Sequence, residues 1–580
     1  DINTTFNGQW YAHITPIEGL TFSVNYSLTE SNDRVNYLSS RWGSSNEEFD
    51  GSASVTHQRV SGINCQYLAT YKTTIKNHSI EALVGYEQYR LKIQMMNGSN
   101  DHLYNPFIGE LGNAGGVTNR NVSSYTNNYM TEGILSRVQY SYGDRYFLSA
   151  SYRRDGSSRF APGHRWGDFG SIGGAWLLSD ENFMAGTRDW LDMLKFKASW
   201  GVQGNDNLLY SSGASNYQPY TDQYTVTYSE TTGEYAKTMY YKGNENIPWE
   251  TSYAFNTGFD FSFFGDRLGG IVEYFNRKTV DLLYNKQVPS SSGITAGSIP
   301  TNVGSILNHG VELELYGTLI STSHLDWTVN FNLTHVTNRI LDLDDDVKDT
   351  GIRSSSSILK IGGSMYQAYY RKYAGIDPDT GQALYYMDPD NDDWSTTTDY
   401  NLAALADCGD TMAKVYGGFG TTLNFYGFDF SAQFSYQLGG RLYDGTYQQL
   451  MHSGCSQMAG TNWHKDILNS WSPANPDTDI PRLDASDNTY ESDSDRFLTS
   501  SDYLSINNIT LGYTFPEKWV QKLHIASLRV YATGDNLWVF SARKGLDPRM
   551  SFGATGGSNS NGNFTYSAMR SISGGLTITF

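Results

Sequence analysis

Two acidic runs are the first residues whose type and spacing could do chemistry. Asp342, Asp344, Asp345 and Asp346 with Asp349, and Asp388, Asp390, Asp392 and Asp393, place carboxylates at the i, i+2, i+4 spacing by which calcium loops gather oxygen ligands. Both runs lack the glycine such a loop needs at its sixth position, where Val347 and Asp393 stand, so an EF-hand is not supported. One reading is a calcium ion in an outer loop, with Asp342, Asp344, Asp346, Asp388, Asp390 and Asp392 as candidate ligands; the other is a solvated acidic surface. No other cofactor is expected.

A second set of residues is aromatic. Trp42, Trp166, Trp394, Trp463 and Trp471 fall in polar stretches, where a flat π surface can stack on the C–H face of a sugar ring or pack loop against loop. Nothing in the chain reads as catalytic machinery: H-E-x-x-H, G-x-S-x-G, the P-loop and the dinucleotide fingerprint are all missing from the sequence. With 60 acidic residues some carboxylate pair falls at glycosidase distance by chance, and none is singled out, so no enzyme is expected. Cys65, Cys408 and Cys455 are odd in number and far apart, which fits neither a disulfide framework nor a zinc site. Lone thiols are expected, with a Cys408–Cys455 bridge as the alternative if both lie in outward loops.

The elements that must hold these residues are strands. The 580 residues carry 41 Lys+Arg against 60 Asp+Glu, a net charge of −19 that argues against a nucleic-acid partner. Only 17% are charged, while 58 glycines and 43 tyrosines favour β-structure. No apolar run approaches the roughly 18 residues of a membrane helix, and residues 1–20 do not read as a signal sequence. A helical membrane protein is excluded; a β-barrel is not. No linker or composition break divides the chain, so one large architecture is expected.

A period of two runs from end to end. Phe428, Phe430, Ala432, Phe434, Tyr436 and Leu438 fall on one face of a strand, and Asp429, Ser431, Gln433, Ser435 and Gln437 on the other. The same split separates Leu325, Trp327, Val329, Phe331 and Leu333 from Asp326, Thr328, Asn330, Asn332 and Thr334. These runs reach the roughly 9 to 11 residues that a tilted strand needs to cross a bilayer, longer than sandwich strands, so the apolar faces read as lipid-facing. Tight turns at 16–19, 76–78, 142–145, 264–267 and 426–427 alternate with long polar stretches near 30–61, 94–128, 204–250, 281–307, 338–412, 439–500 and 541–565. Short periplasmic turns opposite long outer loops are the asymmetry of an outer-membrane barrel. About seventeen strands are expected, near 4–15, 19–29, 62–75, 79–93, 129–142, 145–154, 165–178, 191–203, 251–264, 267–280, 308–320, 324–337, 413–426, 428–438, 501–514, 525–540 and 566–580.

From about residue 130 onward the chain resembles the SusC/RagA family of TonB-dependent outer-membrane transporters. The resemblance rests on Trp200-Gly201-Val202-Gln203-Gly204-Asn205, on Pro248-Trp249-Glu250-Thr251 with Asn256-Thr257-Gly258-Phe259-Asp260, and on Val272-Glu273-Tyr274-Phe275-Asn276-Arg277. It continues through Asn308-His309-Gly310-Val311-Glu312-Leu313 and Tyr373-Ala374-Gly375-Ile376-Asp377-Pro378. The densest stretch is Ser501-Asp502-Tyr503-Leu504-Ser505-Ile506-Asn507-Asn508-Ile509-Thr510-Leu511-Gly512-Tyr513-Thr514-Phe515-Pro516, followed by Gly534-Asp535-Asn536-Leu537-Trp538 and Gly545-Leu546-Asp547-Pro548-Arg549.

The resemblance implies an all-β, transmembrane antiparallel β-barrel of about 22 strands, of which this chain supplies about seventeen. The N-terminal plug and first strands are then expected to be absent from residues 1–580, which form the C-terminal part of one barrel domain with long extracellular loops. It further implies import of oligosaccharides or oligopeptides across the outer membrane of a Gram-negative, Bacteroidetes-like bacterium. The implied partners are a SusD-like surface lipoprotein, the TonB-ExbB-ExbD complex reached through the missing N-terminal part, and outer-membrane lipid. A passive porin and a surface glycan-binding β-protein are the alternatives.

Overall fold

The computed structural model describes residues 1–580 apart from 43–49, 211–212, 354–355, 456–459, 488, 552–559 and 562–566. Seventeen strands make up its main sheet. They are β1 (Ile2–Ile17), β2 (Leu20–Ser39), β3 (Ser52–Ile75), β4 (His78–Asp101), β5 (Asn121–Tyr142), β6 (Tyr146–Ser157), β7 (Trp166–Leu177), β8 (Leu191–Asn205) and β9 (Glu250–Phe263). The series continues with β10 (Leu268–Val280), β11 (Ser305–Ser321), β12 (Leu325–Asp342), β13 (Val415–Phe425), β14 (Phe428–Leu438), β15 (Tyr503–Thr514), β16 (Ser527–Ser541) and β17 (Ser571–Thr579). Each coincides with an expected strand. The chain divides into two compact units, 1–176 with 199–254 and 279–303, and 177–198 with 255–278 and 304–580.

In the first unit β1 to β7 pair antiparallel in chain order. Cross-strand register puts Ile14, Phe22, Val24, Val84, Ile134, Val138, Leu148 and Ile172 on one face, and all eight are exposed. A continuous apolar surface of that kind faces lipid, not water. Asn25, Gln66, Glu87 and Arg153 occupy the other face, joined by hydrogen bonds such as Gln66 Nε2 to Glu87 at 2.9 Å.

Several strands run past the expected ends. The outer stretches expected at 30–61 and 94–128 shrink to 40–51 and 102–120, because β2, β3, β4 and β5 keep pairing beyond the apolar band. Their extensions are rich in Ser, Asn and Thr on both faces. Apolar alternation stops there while the backbone ladder does not, so side-chain pattern alone reads as loop.

In the second unit β11 to β17 pair in chain order. Phe331 opposes Phe419 and Phe419 opposes Phe434, and the last two rings stack at 4.7 Å. Asn508, Thr510, Thr533 and Asp535 hydrogen-bond to one another on the opposite face. A two-residue turn, Tyr426 (φ 48°) and Gly427 (φ 88°), joins β13 to β14; both residues sit in the left-handed region that a tight hairpin requires.

The stretches 338–412 and 439–500 fold together into one body with its own core. Ala368, Tyr370 and Cys408 from the first pack with Tyr443, Met451, Ile467, Ile480, Tyr490 and Phe497 from the second. Tyr370 stacks on Tyr443 at 4.7 Å, and the Arg496 guanidinium lies 5.2–5.5 Å from the rings of Tyr373, Tyr490 and Phe497. Cys408 and Cys455 are both buried in this second unit and are not joined by a disulfide. Burial pushes the Cys408 thiol up to about 12.

Candidate functional site

On the polar face of the first unit, the outer ends of β5 to β8 and Trp249, just before β9, line a cavity of about 560 Å³. Period-two alternation brings Thr131, Ser151, Arg153, Asp155, Phe169, Ser171, Gln203 and Asn205 to it from four strands. Small residues make room for the rings. A Cβ at Gly204 would run into the Phe169 ring, so the absence of a side chain there lets that ring lie across β8.

The aromatic side of the cavity is fixed. Trp249 packs 5.1 Å from Phe160 and 5.3 Å from Phe169, edge to face with the latter, and its Nε1–H donates to the Arg165 carbonyl at 3.0 Å. With the indole N–H engaged outside the cavity, the ring contributes π surface.

The charged side is internally paired, with three carboxylates to two guanidinium groups. Arg153 Nε donates to both Asp155 oxygens at 2.6 and 2.8 Å, and its terminal nitrogen lies 3.0 Å from Glu87. Asp206 accepts from the Tyr129 hydroxyl (2.9 Å), the Ser157 hydroxyl (2.6 Å) and Arg159 (3.0 Å). The Arg159 guanidinium in turn stands 4.4 Å from the Tyr129 ring centre. Asn205 donates to Glu250 at 3.2 Å. Gln203 differs: its side chain is exposed at the cavity and, among the described residues, has no hydrogen-bond partner.

None of the five tryptophans singled out by sequence lines this cavity. Trp42 is half exposed against Phe107 at 5.6 Å, under Arg41. Trp166 opens β7 on the face that carries Ile172, with Arg154 over its ring at 5.7 Å, a placement that suits an interfacial aromatic. Trp394 stands edge-on to Tyr386 at 5.2 Å, and Trp463 stacks on His452 at 4.8 Å; both are about half exposed. Trp471 covers Gly381.

The acidic runs do not converge. Asp342 and Asp345 each lie 3.9 Å from Lys348, Asp388 accepts from Asn391, and Asp390 accepts from the Asp407 N–H at 3.1 Å. Among the described residues no three His, Cys, Asp or Glu side chains gather as a metal ion requires.

Comparison with known proteins places the chain in a family. Residues 1–537 match the family described as TonB dependent receptor-like, beta-barrel. The chain belongs to that family. TonB-dependent receptor P3 of Formosa agariphila is 25% identical over 99% of this chain and 58% of its own length. TonB-dependent receptor SusC of Bacteroides thetaiotaomicron is 28% identical over 75% of this chain and 43% of its own. Among solved structures, the RagAB peptide transporter superposes with a TM-score of 0.86 at 25% identity, covering all of this chain and 62% of that one. The chain thus spans between 43% and 62% of the length of these relatives. Like them it is an outer-membrane β-barrel chain of the SusC/RagA kind, in a family of receptors and transporters.

Two cavity residues carry no chemical signature of their own in the sequence. Gln203 and Trp249 stand in two of the segments that carry the family resemblance, 200–205 and 248–251, and both segments meet at the cavity.

Proposed function

We propose that the chain is the wall and outer-loop portion of a TonB-dependent importer of oligosaccharides or oligopeptides. It works with a SusD-like surface lipoprotein and draws energy from the TonB-ExbB-ExbD complex through parts of the protein outside residues 1–580. The observation that carries this reading is the pairing of a lipid-type apolar face with a polar face that holds a built cavity at its outer end. The family match adds the energy source, and the RagAB likeness adds the idea of a paired surface partner.

The body built from 338–412 and 439–500 is the docking element in this reading. It presents Trp394, Leu402, Trp463 and Leu468 to solvent, apolar side chains available to a protein partner. The two stretches share a core, so deleting either one unfolds both; point changes are the informative test. Affinity purification of the intact transporter from its own outer membrane is expected to bring a lipoprotein with it. Trp463→Asp with Leu468→Asp is expected to reduce that recovery at least tenfold while barrel assembly is kept. Uptake of labelled oligomers by cells is expected to stop when the proton-motive force is collapsed; uptake that continues unchanged points to passive diffusion instead.

A further inference from the structure

The cavity beside Trp249 has a composition that discriminates between cargo classes. Resting on the importer reading above, we infer that it is a subsite for a neutral oligosaccharide, gripped by the Trp249 and Phe169 rings and by the Gln203 side-chain amide. Three features lead there.

Both nearby guanidinium groups are already engaged. Arg153 is held by Asp155 and Glu87, and Arg159 by Asp206, so neither cation is left to grip a carboxylate or a sulfate. That disfavours uronic acids, sulfated glycans and the C-terminus of a peptide. Each carboxylate is held by donors, Asp155 and Glu87 by Arg153 and Asp206 by three groups, so none stands unpartnered, and the excess of three carboxylates over two guanidinium groups further disfavours an anionic ligand.

The polar groups that remain are neutral and can both donate and accept. Gln203 offers an unengaged amide, Thr131 a hydroxyl, and Ser151 and Ser171 a bonded hydroxyl pair 2.6 Å apart. Vicinal hydroxyls of a sugar, each donor and acceptor at once, match that set; a planar amide can serve two of them together. β5, β6 and β7 are paired through the wall, so the cavity offers no open strand edge to a peptide backbone and a ligand there is bound by side chains.

The aromatic wall is rigid before any ligand arrives. Trp249 is locked by Phe160, Phe169 and the Arg165 carbonyl, so ordering it costs little on binding. Stacking of ring C–H groups on such a surface tolerates different sugars, while the amide selects orientation. Roughly 560 Å³ lies within the range of small-molecule sites and suits a short oligosaccharide.

Equilibrium binding to the detergent-purified transporter tests the assignment without any need for energy coupling. The probes are neutral trisaccharides of the gluco-, galacto-, manno- and fructo-series, the matching oligouronates, and zwitterionic tetrapeptides, followed by calorimetry. At least one neutral series is expected to bind, with affinity falling about tenfold in Gln203→Ala and by more in Trp249→Ala; oligouronates of the same length are expected to bind at least tenfold more weakly. Gln203 is exposed and without a partner among the described residues, so its substitution leaves the fold intact even if Trp249→Ala does not assemble. Tetrapeptide binding that is lost in Gln203→Ala overturns the sugar assignment while leaving the importer reading in place. So does the absence of binding by all four neutral series at tens of millimolar, or binding indifferent to Gln203→Ala. Uptake that survives collapse of the proton-motive force removes the importer reading and leaves the binding result standing.

Discussion

Arg159 and Asp206 form an ion pair at 3.0 Å with both side chains nearly sealed from solvent, 8% and 12% exposed. The pair closes the outer corner of the cavity by tying the segment after β6 to the segment after β8. Removing one partner from a buried pair strands the other charge and costs about 3–5 kcal/mol. Asp206→Ala, which also orphans the Tyr129 and Ser157 hydroxyls, is therefore expected to lower the urea midpoint of the refolded chain markedly. The double change Arg159→Met with Asp206→Leu is expected to cost less than the single one. Equal losses in the two proteins would show that the charge pairing carries no weight.

The assignment of faces can be tested on one strand of the second unit. Phe434 sits mid-strand in β14 on the face of Phe419, and Ser431 on the opposite face across from Thr422 and Thr510. Phe434→Arg is expected to cost about 2–4 kcal/mol in unfolding from liposomes, the usual penalty for arginine on the lipid side at mid-bilayer. Ser431→Arg is expected to cost little. A reversal of the two values would invert the sheet.

The outer body offers a chemical probe of its own folding. Because thiolate is the reactive form and burial pushes the Cys408 thiol up to about 12, maleimide at pH 8 is expected to leave Cys408 unmodified in the folded chain. Modification is expected to appear in step with loss of the Tyr370–Tyr443 stack on denaturation. Mass spectrometry of the peptide containing residue 408 reads the outcome; rapid labelling of the native protein would place Cys408 outside the core.

Stability of that body should also respond to pH. Burial raises the Asp495 carboxyl above its ordinary value, against the Tyr373 N–H and the charges of Lys372 and Arg441. The folded state therefore binds more protons than the unfolded one in the interval above the ordinary carboxylate range. Stability falls there as pH rises towards the folded-state value. Asp377 and Asp484 have the opposite sign: hydroxyl and backbone donors hold them low, so their contribution is present above the ordinary range and lost as pH falls through their folded-state values. Limited proteolysis within 439–500 is expected to be faster at neutral pH than in mild acid, and Asp495→Asn is expected to flatten that difference.

How much of this was legible beforehand depends on range. Strands such as β12 and β14 were readable because apolar and polar residues alternate between two environments, and the turn at Tyr426-Gly427 marks the reversal locally. The outer body was not. Its core joins Tyr370 to Tyr443 and Cys408 to residues beyond 440, contacts between segments that each look like polar loop. The cavity lay between these extremes. Trp249 and Gln203 were visible as parts of a family pattern, but that they meet across strands is a matter of register, which a single sequence leaves open.

The overshoot of β3 and β4 sets how far the wall stands above the membrane. Each is 24 residues long. At about 3.3 Å per residue and a tilt near 40°, such a strand climbs about 60 Å along the membrane normal, against an apolar band of about 25 Å. The parts beyond that band on the outer side, 52–61 and 94–101, rise about 20–25 Å by the same measure, so the outer ends stand about 15 Å clear of the headgroups, roughly twice the Debye length of about 8 Å at physiological salt. At that height the charge of the lipid surface is largely screened. The approach of a dissolved molecule to these strand tips is governed by the protein's own field, whatever the lipid composition beneath.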